Sequence, residues 1–165
     1  MELVVCSRSV NQTKETGQYF SAILEKGSTV FLSGELGAGK TAFVSGVMKG
    51  FGFSGEINSP SFTILNLYKV SRNLTVVHAD FYRLNSYDEI ADTGIEEFLY
   101  DLKFITLIEW PDKLKDFLKK DYVDISFGYE IEDFNSRQIR ISSFSRFWGR
   151  KLNLFENILR KKCII

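Results

Sequence analysis

The chain has 165 residues, 44% of them hydrophobic and 25% charged, with 21 Lys+Arg balancing 21 Asp+Glu. That length and balance fit one soluble globular domain with a sizeable core; with no apolar run near the ~18 residues of a membrane span, nothing like a signal peptide, and Cys6 and Cys163 too few and too far apart for a disulfide framework or metal knuckle, a reducing cytoplasm is the expected compartment. The neutrality conceals an asymmetry, since residues 1–133 carry 13 Lys/Arg against 20 Asp/Glu and residues 134–165 carry 8 against 1.

In chain order, Glu2 to Cys6 reads as a short strand. Ser9 with Gln12 three residues on makes a capping box for a helix that buries Tyr19, Phe20, Ile23 and Leu24 and stops at Gly27. Ser28 to Ser33 is a buried β-branched and aromatic strand, Gly34 to Thr41 a glycine-rich turn, and Ala42 to Phe51 a helix with Phe43, Val44, Val47, Met48 and Phe51 at helical spacing. Gly52 to Ser61 is a loop, followed by a hairpin of Phe62–Val70 and Leu74–Ala79 turning at Ser71-Arg72-Asn73. Asp80 to Leu84 ends that unit. Tyr87–Thr93 and Ile95–Leu102 are short helices broken at Gly94, with acids outward. Phe104 to Ile108 is an unbroken apolar run and so an interior strand, ending in Glu109-Trp110-Pro111; Pro111 opens a short helix through about Lys119. Tyr122–Glu132 and Arg137–Phe144 alternate with period two around Asp133–Ser136, a second antiparallel hairpin. A last helix puts Trp148, Leu152, Phe155 and Leu159 on one face and Arg146, Arg150, Lys151 and Arg160 to Lys162 elsewhere. The order of elements predicts an α/β fold with a mixed sheet.

Gly34 to Thr41 reads G-E-L-G-A-G-K-T and satisfies G-x-x-x-x-G-K-[ST] at every fixed position. Chance would produce such a match in roughly one sequence of this length in a hundred or fewer. The strand before it and the helix after it are the context a phosphate loop needs. Glycines let successive N–H groups curl inward at a helix N-terminus that favours anions. Lys40 is placed to reach β- and γ-phosphates and the Thr41 hydroxyl to hold Mg²⁺, whereas a bare turn needs neither. Two strand-end acids compete to complete the metal site: Asp80 after Val76-Val77-His78-Ala79, and Glu109 after Phe104 to Ile108. Composition does not choose between them, and each could instead be a helix cap or a solvated strand end. His78 is the only histidine, either a general base or a packed, hydrogen-bonded side chain.

The chain resembles the TsaE (formerly YjeE) family, bacterial ATPases required for threonylcarbamoylation of the adenosine next to the anticodon in tRNA. The resemblance rests on G-E-L-G-A-G-K-T, S-P-S-F-T-I at Ser59 to Ile64, H-A-D-F-Y-R-L at His78 to Leu84, T-G-I-E-E-F-L at Thr93 to Leu99 and I-E-W-P at Ile108 to Pro111. It implies a three-layer P-loop NTPase fold over residues 1–143; residues 144–165, which match none of its motifs, read from their own spacing as a basic amphipathic helix packed on or appended to that domain. It also implies a weak Mg²⁺-dependent ATPase acting on the partner proteins TsaB and TsaD, with direct or indirect tRNA contact. By that likeness ATP is held by Glu35, Leu36, Gly37, Ala38, Gly39, Lys40, Thr41 and Ala42, with Ser9 and Thr13 near it. Lys40, Asp80 and Glu109 form the catalytic cluster, and Thr41 and Glu109 with Asp80 the metal set. Ser59, Pro60, Ser61, Phe62 and Thr63 are the switch, and Trp110 stands beside the site. Glu35, Ala42 and Ser61 depart from the family's usual Asp, Thr and Thr, which touches only the finer switch chemistry. A small-molecule P-loop kinase, with Asp80 as base and Arg83, Arg146 or Arg150 on phosphates, and a non-catalytic nucleotide-dependent binding module are the alternatives. The basic end has three candidate counterparts: an acidic partner, nucleic acid, or the acidic body of its own chain.

Overall fold

The computed structural model describes residues 1–130 and 136–165. The strands are β1 (Glu2–Ser7), β2 (Thr29–Gly34), β3 (Leu65–Ser71), β4 (Leu74–Asp80), β5 (Phe104–Glu109), β6 (Val123–Tyr129) and β7 (Arg137–Ser142). The helices are α1 (Val10–Phe20), α2 (Lys40–Gly50), α3 (Tyr87–Ala91), α4 (Ile95–Tyr100), α5 (Asp112–Lys115) and α6 (Arg146–Lys161). One mixed sheet runs β1-β7-β6-β2-β5-β4-β3. Its middle is parallel, β2 lying between β6 and β5 and β5 between β2 and β4. Antiparallel partners close both sides: β3 on β4, and the hairpin β6–β7 extended by β1.

Alternation along the central strands sends side chains to two cores. Val30, Leu32, Val76, Ile105 and Leu107 pack with Phe20 of α1, Phe43 to Met48 of α2 and the Trp148–Leu159 stripe of α6. Phe31, Val77, Ala79 and Ile108 meet Ile90, Ile95, Leu99 and Leu114 from α3 to α5 on the other face. The result is the three-layer α/β arrangement that strands buried on both faces demand. The helices α1 and α2 cross with almost no gap: a β carbon on Gly46 would stand 1.9 Å from the Lys14 carbonyl oxygen, and one on Gly17 2.2 Å from that of Phe43.

Several boundaries move from those predicted. The first helix is α-helical only to Phe20 and ends in a 3₁₀ turn, Ser21–Ile23; Phe20 and Ile23 are buried, but Tyr19 and Leu24 only partly. Its capping box is displaced, with Ser9 Oγ accepting from Gln12 N (3.1 Å) while Gln12 Oε1 takes the Arg8 N–H (2.6 Å). Phe62, Thr63 and Ile64 form a turn rather than the start of β3, because Ile64 takes a left-handed φ of 65° and Ile64 N bonds back to Pro60 O at 2.6 Å. The helix after Pro111 stops at Lys115, where the Leu114 carbonyl accepts both Phe117 N and Leu118 N and tightens the chain toward β6. Tyr122 and Phe144 lie outside β6 and β7, while positions 131–135 of the expected hairpin fall outside the described residues.

Candidate functional site

The sheet brings its chemistry to one end. β2, β4 and β5 are adjacent and parallel, so Gly34, Asp80 and Glu109 finish at the same edge, with Glu109 opposite Leu32 on one side and Asp80 on the other. Between β2 and α2 the loop turns on Gly37 (φ 77°) and Gly39 (φ 110°), left-handed values that L side chains resist. Lys40 then opens α2 and bends back into the loop, its Nζ donating to Gly34 O (2.7 Å) and Glu35 O (2.9 Å) and sitting 4.2 Å over the Trp110 ring. At 4% exposure, burial holds this ammonium below its usual value near 10.5, against the opposing pull of Glu109 and Asp80.

The two competing acids have separate surroundings. Glu109, 3% exposed, accepts the Thr41 hydroxyl at 2.8 Å and meets His78 Nε2 at 2.9 Å, both through Oε1. A carboxylate only accepts, so Nε2 carries the hydrogen; Nδ1 is buried with no hydrogen-bond partner among the described residues. His78 is thus a packed side chain that aims Glu109. Asp80, 4% exposed, accepts Tyr82 N (2.9 Å) on Oδ1 and the hydroxyls of Ser59 (2.8 Å) and Ser61 on Oδ2. Parity explains the shared direction, because Asp80 and Glu109 are ladder partners two residues beyond His78 and Leu107 and face the α2 side.

A cleft of about 290 Å³ gathers these groups, lined by Leu36, Gly37, Gly39, Lys40, Thr41, Ala42, Ser59, Ser61, Asp80, Tyr82, Glu109 and Trp110. A roomier hollow of about 380 Å³ near Cys6, Arg8 and Lys162 holds no such convergence. Glu35 is exposed at the loop's tip and Ala38 is buried beneath it. Of the proposed switch, Ser59 and Ser61 reach the cleft, Pro60 is buried, and Phe62 (83% exposed) lies at 4.2 Å beneath the Arg83 guanidinium; Thr63 bonds Asn66. Ser9 and Thr13 do not line the cleft. Thr13 backs it, with its methyl beside Gly39 and its hydroxyl bonded to Ser7 Oγ at 2.8 Å, while Ser9 caps α1. Arg83, Arg146 and Arg150 are likewise absent from the lining. Sequence reasoning did not single out Tyr82, which packs on Trp110 at 4.9 Å, nor Tyr129 and Arg137, which flank the loop at Gly37 and Gly39. Tyr82 lies inside the H-A-D-F-Y-R-L block, so its signal was present; Tyr129 and Arg137 meet the loop only through the pairing of β6 with β2 and β7.

Three His, Cys, Asp or Glu side chains do not converge as a metal cage among the described residues. The available donors are a hydroxyl and carboxylates, the set that suits Mg²⁺ when phosphate and water complete its shell.

The model of the family described as "Threonylcarbamoyl adenosine biosynthesis protein TsaE" matches residues 7–139. Relatives named tRNA threonylcarbamoyladenosine biosynthesis protein TsaE include one from Treponema pallidum, 41% identical over 73% of this chain and 87% of its own length. Another, from Haemophilus influenzae, is 34% identical over 78% and 89%. The crystal structure of Bacillus subtilus YdiB superposes with a TM-score of 0.79 at 22% identity, covering 95% of each chain, a likeness of fold.

Proposed function

Because the chain belongs to the TsaE family, we propose that it is a Mg²⁺-dependent ATPase serving threonylcarbamoylation of the adenosine adjacent to the anticodon of tRNA, together with TsaB and TsaD proteins. The observation that carries the reading is the meeting of Lys40, Thr41, Asp80 and Glu109 in one cleft at the ends of adjacent parallel strands. In this reading Lys40 exchanges the Gly34 and Glu35 carbonyls for β- and γ-phosphate oxygens, and the loop's N–H groups take the remaining phosphate charge. Thr41 and Glu109, steadied by His78, would hold Mg²⁺, which would supply charge neutralisation for the phosphates. Asp80 orients the attacking water and, through the Ser59 and Ser61 hydroxyls, couples it to the switch segment. Trp110, against Lys40, reports occupancy by fluorescence.

The motifs supply phosphate, metal and switch elements, but among the described residues no arginine lines the cleft to act as a finger, Arg137 lying beside the loop at Gly39. A P-loop site lacking one is slower by about 10³ to 10⁵. The protein alone therefore turns ATP over slowly and its partners accelerate it by closing on Ser59 to Thr63. Steady-state phosphate release with and without TsaB and TsaD from the same source tests this. Fast turnover alone, or no response to partners that demonstrably bind, rejects it.

A further inference from the structure

The helix α6 lies beyond the residues that the family model matches, and its two faces have opposite chemistry. At 100° per residue, Trp148, Leu152, Phe155 and Leu159 form one stripe, buried in the first core. The opposite stripe holds Arg146, Arg150, Asn153, Asn157, Arg160 and Lys161, all exposed, over roughly 24 Å of helix. It contains no acid. Glu156, the one acid after residue 133, sits to the side and pairs with Arg160 at 2.7 Å. Among the described residues, no ion pair involves Arg146, Arg150 or Lys161. Two residues before the helix stands Phe144, with a relative exposure of 108%, at the edge of a hollow of about 260 Å³ that Lys120, Asp121 and Asp124 also line.

We propose that this outer face of α6, with Phe144, is an RNA-binding surface, Arg146, Arg150 and Lys161 engaging backbone phosphates and the Phe144 ring stacking on an unpaired base. The proposal rests on the tRNA-modifying reading above, which supplies RNA as the polyanion. Three observations favour it over the acidic body of the chain itself and over an anionic membrane. Among the described residues, neutralising the acidic body accounts for Lys151 alone within α6, which reaches Glu25 at 3.2 Å and the Ile23 carbonyl at 2.7 Å. An anionic membrane would need a broad apolar face to insert; the Trp148–Leu159 stripe is spent on the core, which leaves only Phe147 (37% exposed) and Leu154 (53%) within α6. A bare aromatic just ahead of a helical face of exposed cations and asparagines is a combination that single-stranded nucleic acid uses: charge for the backbone and a flat ring for a base.

The test is fluorescence anisotropy of a labelled, unmodified tRNA transcript carrying that adenosine, titrated with the full chain at several salt concentrations. The triple variant Arg146→Ala, Arg150→Ala, Lys161→Ala should bind about tenfold or more weakly, and its log–log salt slope should fall by about two to three, as expected for the loss of three phosphate contacts. Phe144→Ala should weaken binding several-fold with the slope unchanged, because stacking releases no counterions. Both variants should keep the parent's affinity for ATP and its Tm. Parental tRNA affinity and slope in the triple variant would overturn the proposal. So would capture of phosphatidylglycerol vesicles that the triple variant loses while its tRNA binding stays intact. Absent ATP hydrolysis with tRNA binding retained would strike the ATPase reading and leave this surface standing; ATP hydrolysis with α6 indifferent to tRNA would do the reverse.

Discussion

Replacing Lys40 by Ala removes the charge around which the loop is folded, and the size of the effect follows from its surroundings. A unit charge 4 Å from a phosphate contributes about 4 kcal/mol at an effective dielectric constant near 20, a value suited to a side chain only 4% exposed. Against this, binding requires Lys40 to give up its bonds to Gly34 O and Glu35 O, at about 1 kcal/mol each. The net contribution is about 2 kcal/mol, so Lys40→Ala should raise the Kd for ATP about 30-fold. Calorimetric titration with ATP in excess Mg²⁺ measures this, and a thermal melt verifies that the variant is folded. A Kd within about twofold of the parent in a folded variant would mean that phosphate does not displace the carbonyls, and the site assignment would fall with it.

The two acids should part company. Glu109→Ala, which leaves the Thr41 hydroxyl and His78 without their shared partner, should raise the Mg²⁺ concentration needed for half-maximal turnover, whereas Asp80→Ala should cut turnover by about 10² or more with ATP affinity largely kept. Identical Mg²⁺ titrations and rates for the two would refute the division. Because burial lowers the Lys40 pKa, there is a window below 10.5 in which the unfolded chain holds this proton and the folded one does not. Stability of the free protein therefore gains from Lys40 as pH rises through that window, while ATP affinity falls as the ammonium is lost. Lys40→Arg, which stays charged, should flatten both in urea melts and ATP titrations run at increasing pH. Gly46→Ala forces a β carbon to 1.9 Å from the Lys14 carbonyl, a backbone atom that cannot rotate away. It should cost about 2 kcal/mol or more and lower Tm by about 4–8 °C, and an unchanged Tm would contradict the tight α1–α2 crossing.

Much of this fold is legible because its signals are local. The strand, turn and helix around Gly34 to Thr41 declare themselves through glycine spacing and apolar periodicity, and the interior position of β5 through its unbroken run from Phe104 to Ile108. The different surroundings of Asp80 and Glu109 were not legible in composition, since both are acids ending apolar strands; what separates them is whether a neighbour is Thr41 and His78 or Ser59 and Ser61. The start of β3 was misplaced because Phe62 to Ile64 has strand composition while the hydroxyls just before it are held by Asp80, a contact 19 and 21 residues distant. Tyr129 and Arg137 join the loop's surroundings by strand pairing alone, which no local pattern encodes.

Opposition of Asp80 and Glu109 in a parallel ladder makes the gap between their backbones a property of the sheet, near the 4.7–4.9 Å interstrand spacing, rather than of rotamers. Such a distance changes only in whole steps. Sliding β4 by one residue would bring Ala79 or Phe81 to the place of Asp80 and turn the carboxylate toward α3 and α4, leaving nothing intermediate. Side chains around the cleft can drift by substitution, but a single-residue insertion or deletion within β4 or β5 should extinguish chemistry outright even where the chain still folds. Length variation is thereby confined to the connections, such as the Arg72-Asn73 turn at the far end of β4, where an added residue leaves the carboxylates in step.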